Sequence, residues 1–217
     1  MTRNKDRLVT GEVYHTFSRS IARFKIFNHD ADFSRIMEVV RYYQNEKPLV
    51  SFSNSIKTMK IYSGNDFSEK EKLVAVIAFC IMPTHLHLVL KQLKDNGISK
   101  FMSNVLNSYT RYFNIKHKRK GPLWEGRFKS VFVKKDEQLL HLTRYVHLNP
   151  VTEFLVKNPE EWPASSYKEY ITGINNMYPI CNYINILEIN PSSYKKFVED
   201  GIAYQRDLAK IKRLICE

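Results

Sequence analysis

The sequence predicts an α+β domain in which one antiparallel sheet packs against helices. Three observations carry that expectation. Apolar runs of strand length alternate with segments of helical periodicity, in the order β-α-β-β-β-α-β-α. The central strands are joined by short connections, which favour antiparallel pairing. The chain has 217 residues, 43% hydrophobic and 13% aromatic, enough for one substantial core.

Each element has its own signal. Val13 to Ser18 is a β-prone run opened by Gly11. Asp30 is placed to cap a helix with apolar positions at Phe33, Ile36, Met37, Val40 and Tyr43, stopping before Pro48. Leu49 to Phe52 reads as a weak strand, followed by a polar loop through Gly64-Asn65-Asp66. Leu73 to Met82 reads as a buried strand. In the strand His85 to Leu90, Leu86, Leu88 and Leu90 fall on one side, His85 and His87 on the other. The longest helix carries the stripe Ile98, Phe101, Met102, Val105, Leu106, Tyr109, Tyr112, Phe113. A basic turn, Lys116 to Lys120, leads to a long strand from Leu123 to Val133 with a bulge at Gly126. Asp136 caps a last helix of the domain, which Pro150 ends near Leu148 or Asn149. Residues 1–157 form the domain. Residues 158–217 form a partly helical C-terminal extension, with one terminal helix from Ser192 or Ser193 to about Ile215.

Composition narrows the function. Gly (7) and Pro (8) are scarce, which excludes collagen-like and Pro/Gly-rich chains. The longest apolar run is too short to span a bilayer, and the polar N-terminus is followed by no signal-peptide core. Cys80, Cys181 and Cys216 form neither a zinc pattern nor a disulfide framework, so a soluble protein of a reducing compartment is expected. The formal net charge is +12, and residues 91–135 hold twelve Lys/Arg against Asp95 and Glu125. Tyr109, Tyr112, Phe113, Trp124 and Phe128 are interleaved with those cations. Such a mix suits a nucleic acid, because cations neutralise phosphates and rings stack on unpaired bases. A solvated basic face with the rings in the core is the competing reading.

Two constellations carry chemistry. His85 and His87 lie roughly 6.6 Å apart on one strand face, able to converge on one metal ion. His141, Tyr145 and Asn149 are spaced four apart and share a helix face. Tyr145 offers a nucleophile and Asn149 a carbonyl oxygen that completes a metal site. Composition and spacing do not choose Tyr145 over Tyr109 or Tyr112.

Three motifs in order give the chain a resemblance: Pro83-Thr84-His85-Leu86-His87, Leu123-Trp124-Glu125-Gly126-Arg127-Phe128 and Arg144-Tyr145-Val146-His147-Leu148-Asn149-Pro150-Val151. Together with Tyr14-His15 and Trp162-Pro163-Ala164-Ser165-Ser166-Tyr167, they resemble the single-tyrosine HUH transposases, nearest the REP-associated tyrosine transposases. The resemblance covers about residues 10 to 170. It implies a ferredoxin-like sheet with His85, His87 and Asn149 holding a divalent cation, and Tyr145 as nucleophile. It implies cleavage and rejoining of single-stranded DNA through a 5′-phosphotyrosine, at sites marked by a hairpin. Magnesium or manganese fits the resemblance, while imidazole ligands by themselves also suit zinc or nickel. Arg127 and Lys129 are expected at phosphates, and Lys116, Lys118, Arg119 and Lys120 at a hairpin stem. A homodimer in the bacterial cytoplasm, associated with the nucleoid and with no membrane partner, completes the expectation. The general base is unassigned, although His141 shares the face of Tyr145. Alternatives are a non-enzymatic nucleic-acid-binding module, a rolling-circle or relaxase relative, and a domesticated enzyme that processes palindromes.

Overall fold

Because the 85–92 segment alternates histidine and leucine, pairing it on both edges sends leucines to one face and histidines to the other. The computed structural model describes residues 8–46, 52–57, 72–172 and 179–215, and its sheet is built around that segment. Strands β1 (Val13–Arg19), β2 (Val74–Met82), β3 (His85–Gln92) and β4 (Lys129–Val133) stand in the order β2-β3-β1-β4. Every pairing is antiparallel. Helices α1 (Asp30–Tyr43) and α3 (Gly97–Lys116) pack together on the leucine face, where Thr16 Oγ1 reaches Met102 Sδ at 3.7 Å. Helix α4 (Asp136–Thr152) crosses the histidine face against β2, β3 and β4. With helices on both faces, β2 is buried along its whole length, which is why it reads as an unbroken apolar run. The strand order and antiparallel pairing are the ferredoxin-like plan that the resemblance implies.

Beyond residue 158 the chain covers the outer edge of β2. Ile81 N–H donates to Ala164 O at 2.8 Å, Ser166 N–H to Phe79 O at 3.0 Å and Asn182 N–H to Val76 O at 2.7 Å. An edge strand with unpaired backbone groups is a template for aggregation, so this cover protects the sheet. The short helix α5 (Tyr167–Ile171) sends the Tyr170 hydroxyl to Ile77 O at 2.7 Å.

Several sequence expectations are corrected. Of the weak strand at Leu49 to Phe52, residues 49–51 lie outside the described residues, as does the loop at 64–66. Phe52 itself opens a short helix, α2 (Phe52–Lys57), because its ring packs against Tyr42 and under the Arg35 guanidinium on α1. The strand expected from Leu123 begins only at Lys129. Trp124 is drawn into the core, where its indole N–H reaches Thr110 Oγ1 at 3.0 Å and Leu106 O at 3.2 Å, and residues 125–128 leave the ladder. The helix caps are His29 and Lys135, one residue before Asp30 and Asp136. The single terminal helix is two, α6 (Pro191–Glu199) and α7 (Ile202–Ile215). They break where Gly201 crosses α4 so closely that a Cβ would lie 3.1 Å from the Arg144 side chain and 3.2 Å from that of Leu148. Cys80 and Cys181 are buried free thiols; Cys216 lies outside the described residues.

Pro150 does not end α4, which continues to Thr152. Proline removes the N–H that would bond Val146 O. The Asn149 side chain replaces it, its amide donating to Tyr145 O at 2.9 Å and to Val146 O at 3.4 Å.

One buried carboxylate ties α1 to α3. Asp32 accepts from the N–H groups of Asn28 and His29, from the Tyr112 hydroxyl at 3.0 Å and from the Lys116 ammonium at 2.6 Å. Burial alone would raise its pKa, but the bonds from Lys116, Tyr112 and Asn28 outweigh burial and hold it below its ordinary 3.8. Asp32→Ala should lower the unfolding free energy by about 3 kcal/mol, seen as a shifted urea midpoint at unchanged slope. The folded pKa is the lower one, so this contribution is complete at neutral pH and fades as the pH falls below about 4.

Candidate active site

The site grows from the register of β1 on β3. Arg19 lies opposite His85, Phe17 opposite His87 and His15 opposite Val89, so all share the histidine face. The two-residue turn Pro83-Thr84 starts β3 at His85, and the Thr84 hydroxyl lies 2.9 Å from His85 Nδ1. His87 Nδ1 lies 2.9 Å from His15 Nε2. With each Nδ1 engaged, Nε2 is the ligating atom left to both imidazoles. Their rings cross at 84° with centroids 5.0 Å apart. Both residues are 8% exposed.

Helix α4 lays Tyr145 over this pair. Its ring stands edge-on to His87 at 5.9 Å and to His15 at 6.2 Å between centroids. It is 38% exposed, whereas Tyr109 is buried with its hydroxyl on Ile26 O at 2.6 Å and Tyr112 is bonded to Asp32. Of those three tyrosines, Tyr145 alone meets the histidines. Asn149, one turn on, is 6% exposed; its N–H₂ group is committed to backbone carbonyls, which leaves Oδ1 as the donor atom.

Beside the histidines opens a cleft of about 260 Å³ lined by Arg19, His85, His87, Glu125, Arg127 and Lys129, among others. Its cations suit a phosphate. Trp124 packs in the core rather than in the cleft, as do Tyr109 and Phe113, so these rings are not available for base stacking. Lys116 is ion-paired with Asp32, and Arg119 donates to Asn114 Oδ1 at 3.0 Å and to Pro122 O at 2.9 Å. Lys118 and Lys120 are exposed on the turn that follows α3. His141 turns away from Tyr145, to Arg144 at 3.0 Å and to the Phe197 ring at 5.4 Å.

Two neighbours of the site, Arg19 and Glu153, lay beyond the sequence reading. Arg19, and the place of His15 from the Tyr14-His15 motif, become visible only through the β1–β3 register. Glu153 follows Asn149 by one more turn and places Oε1 3.7 Å from His85 Nε2. Its only sequence signal is the continued spacing of four from Tyr145, which an end of the helix at Pro150 would have erased.

The electrostatics are those of a neutral ligand set. Burial pushes His15 down to about 4; burial, then Arg19 and Arg23, push His85 to about 4; burial, then His85 and His15, hold His87 well below its ordinary value. All three imidazoles are therefore uncharged at neutral pH, as metal ligation requires. Among the described residues, no group of three His, Cys, Asp or Glu side chains is assembled to hold a metal ion. The two imidazoles with the Asn149 amide oxygen nevertheless fit a divalent cation in donor chemistry. The Tyr145 hydroxyl is raised above 10.0, first by burial and then by Glu153, with Arg19 opposing. Such a phenol is a weak nucleophile without help.

In the metal-free protein the imidazole carbons of His15 and His85 should titrate near 4 by NMR, not near 6.5. Folded values below the unfolded one mean that the unfolded chain binds more protons between about 4 and 6.5. Stability should accordingly fall as the pH drops through that window. A His85 midpoint near 6.5 would contradict the buried geometry.

Comparison with known proteins finds similar sequences and a similar fold. The family model described as transposase IS200 like matches residues 65–149. A putative REP-associated tyrosine transposase of Haemophilus influenzae is 28% identical over 114 residues, 48% of this chain and 63% of that protein. The REP-associated tyrosine transposase of Escherichia coli K12 is 21% identical over 113 residues, 52% of this chain and 64% of that one. The chain thus matches less than two thirds of the length of either relative. A solved REP-associated tyrosine transposase, bound to a REP hairpin, superposes with TM-score 0.54 at 14% identity, over 88% of this chain and 96% of that one. At that identity the likeness is one of fold. Among the described residues no helix is long and apolar enough to cross a membrane. Residues 65–149, which hold both histidines, Tyr145 and Asn149, match the IS200-like transposase family, and the chain shares its fold with a REP-associated tyrosine transposase.

Proposed function

We propose that this protein is a metal-dependent transposase that cleaves and rejoins single-stranded DNA at hairpin-marked sites. The observation that carries the reading is the placement of Tyr145 over the His85–His87 pair, with Asn149 one turn away. The Tyr145 oxygen attacks a backbone phosphorus. A bond from phosphorus to tyrosine forms, the bond to the 3′ oxygen breaks, and a 5′-phosphotyrosine and a free 3′-hydroxyl result. The phenol gives up one proton and the leaving oxygen gains one. One phosphodiester replaces another, so the reverse attack by a 3′-hydroxyl rejoins strands without ATP.

The chain's own residues account for binding and orientation. His85, His87 and Asn149 would hold the cation. Magnesium or manganese, bound there, supplies Lewis-acid polarisation of the phosphate and charge stabilisation of the leaving oxygen. Arg19, Arg127 and Lys129 line the cleft and pair with phosphates. A hairpin is the chemically reasonable mark for a single-strand site, since its stem offers two backbones to the exposed Lys118 and Lys120. The histidines and the tyrosine of this reading lie together in one chain.

A non-enzymatic binding module would use the same cationic surface, and covalent chemistry separates the two. With labelled single strands from DNA flanking its own coding sequence, the wild type should form an adduct that survives denaturation in Mg²⁺ or Mn²⁺ but not in EDTA. Tyr145→Phe should abolish it, and His85→Ala or His87→Ala should slow it by about a thousandfold or more. An adduct formed by Tyr145→Phe would sink the assignment.

Binding is tested apart from chemistry. In EDTA, Arg127→Ala and Lys129→Ala should each weaken affinity for the strand and lower the slope of log K against log salt by about one. Unchanged slopes would remove those residues from the phosphate path.

A further inference from the structure

We infer that Phe17 is a stacking platform for one unpaired base of the DNA strand, and that it seats the adjoining phosphate beside the histidine pair. The inference rests on the single-strand reading above and adds a base contact to it.

The strand register sets the position. Phe17 lies opposite His87 on β3 and opposite Lys129 on β4, so the three side chains form one row across the histidine face. Neighbouring strands stand about 4.8 Å apart, so an imidazole of the site flanks the ring on one side and an ammonium group on the other. Arg19, two residues further along β1, shares the face. A strand that reached both His87 and Lys129 would pass over Phe17.

The surroundings leave the ring open to such a strand. Tyr14, Thr16 and Ser18 of β1 are buried on the leucine face, whereas Phe17 is half-buried and stands outside the hydrophobic core. Among the described residues, the rings that meet it are His15 at 5.3 Å and His87 at 6.0 Å between centroids, tilted by 40° and 33°. Tyr145 stands over those two imidazoles. Of the described residues that line the cleft, Phe17 supplies the one phenyl ring.

Chemistry selects the occupant. Arg19, Arg127 and Lys129 line the same cleft as the ring. Cations that track a backbone beside a ring that takes a base are the two parts of a single-strand site. A duplex cannot use the ring, because its bases already stack on one another. A phenyl ring has no hydrogen-bonding group, so it accepts any base and fixes where the strand sits, not which base is read. Tyr109, Phe113 and Trp124 of the basic run are buried, and β1 supplies the stacking surface in their place.

The test is binding of the full chain, by fluorescence anisotropy in EDTA, to hairpin-bearing single strands from the DNA flanking its own coding sequence. A parallel set carries one abasic site at each unpaired position in turn. Phe17→Leu keeps an apolar side chain at a half-exposed position, so its thermal melt should match the wild type. For the wild type, one abasic position should raise the Kd about tenfold. Phe17→Leu should raise the Kd of the intact strand about tenfold and lose nothing further at that one abasic position. Phe17→Trp should bind as tightly as the wild type or more tightly. Exchanging the base at that position should matter far less than removing it. Equal losses for Phe17→Leu on the intact strand and on every abasic strand would show that the ring meets no base and would overturn the inference. So would unchanged binding by Phe17→Leu, or a lowered melt that Phe17→Trp does not restore. The adduct assay above separates this inference from the reading it rests on. Coupling at one position without any adduct would keep the platform and sink strand cleavage, whereas an adduct without coupling would keep cleavage and sink the platform.

Discussion

Everything at the site depends on the register of β1 between β3 and β4. A slip of one residue would send His15, Phe17 and Arg19 into the core and bring Tyr14, Thr16 and Ser18 to the histidine face. Several contacts forbid the slip. Thr16 Oγ1 donates to Leu88 O at 3.2 Å, on the buried face. Ser20 N–H, just past the strand, donates to Thr84 O at 2.9 Å, and Ile26 N–H to Pro83 O at 2.8 Å. Glu125 N–H donates to Arg19 O at 2.9 Å on the other edge. The turn that fixes the start of β3 is thus gripped by the chain that follows β1, and the same grip aligns His85 with Arg19 and His87 with Phe17.

Helix α4 is the second half of the constraint, and it reaches the site by an unusual route. A proline in its last turn ought to release it from the sheet. The Asn149 side chain supplies the donor that Pro150 lacks, and in doing so it fixes its own orientation. One amide therefore repairs the helix with its nitrogen, and its oxygen takes no part in that repair. The C-terminal helices complete the arrangement: α6 and α7 pack on α4, and the close crossing at Gly201 brings them there.

Much of this was legible in the sequence where the signal is local. The His/Leu alternation of β3 and the long apolar stripe of α3 report directly on which side of an element is buried. The spacing of Tyr145 and Asn149 places them on one face. The expectations that failed are those decided by distant partners. Phe52 has a strand-like context but finds Tyr42 and Arg35. Leu123 to Phe128 has the composition of a strand, yet burial of the Trp124 indole pulls the segment off the ladder. The identity of the exposed tyrosine needed the burial of Tyr109 and the bond from Tyr112 to Asp32, neither of which has a sequence signature. The basic run contains the same ambiguity, since Lys116 looks like its neighbours in sequence and is spent on a buried carboxylate in the fold.

The balance of charge explains why such a site would need a cation. Burial keeps its imidazoles neutral and its phenol protonated, so the nucleophile is not ready at neutral pH. Arg19, Arg127 and Lys129 attract phosphate, but Glu153 and Glu125 stand close by. Two like charges about 5 Å apart at an effective dielectric of 20 repel by about 3 kcal/mol, comparable to the attraction of one cationic side chain at the same distance. Fixed side chains thus largely cancel around the cleft. On the proposed reading, a divalent ion held by neutral imidazoles would add its full charge where that cancellation occurs, and the lowered imidazole pKa values would keep protons from competing for the same nitrogen atoms. The desolvation that weakens Tyr145 as a free phenol is then the same property that strengthens the field of a bound cation.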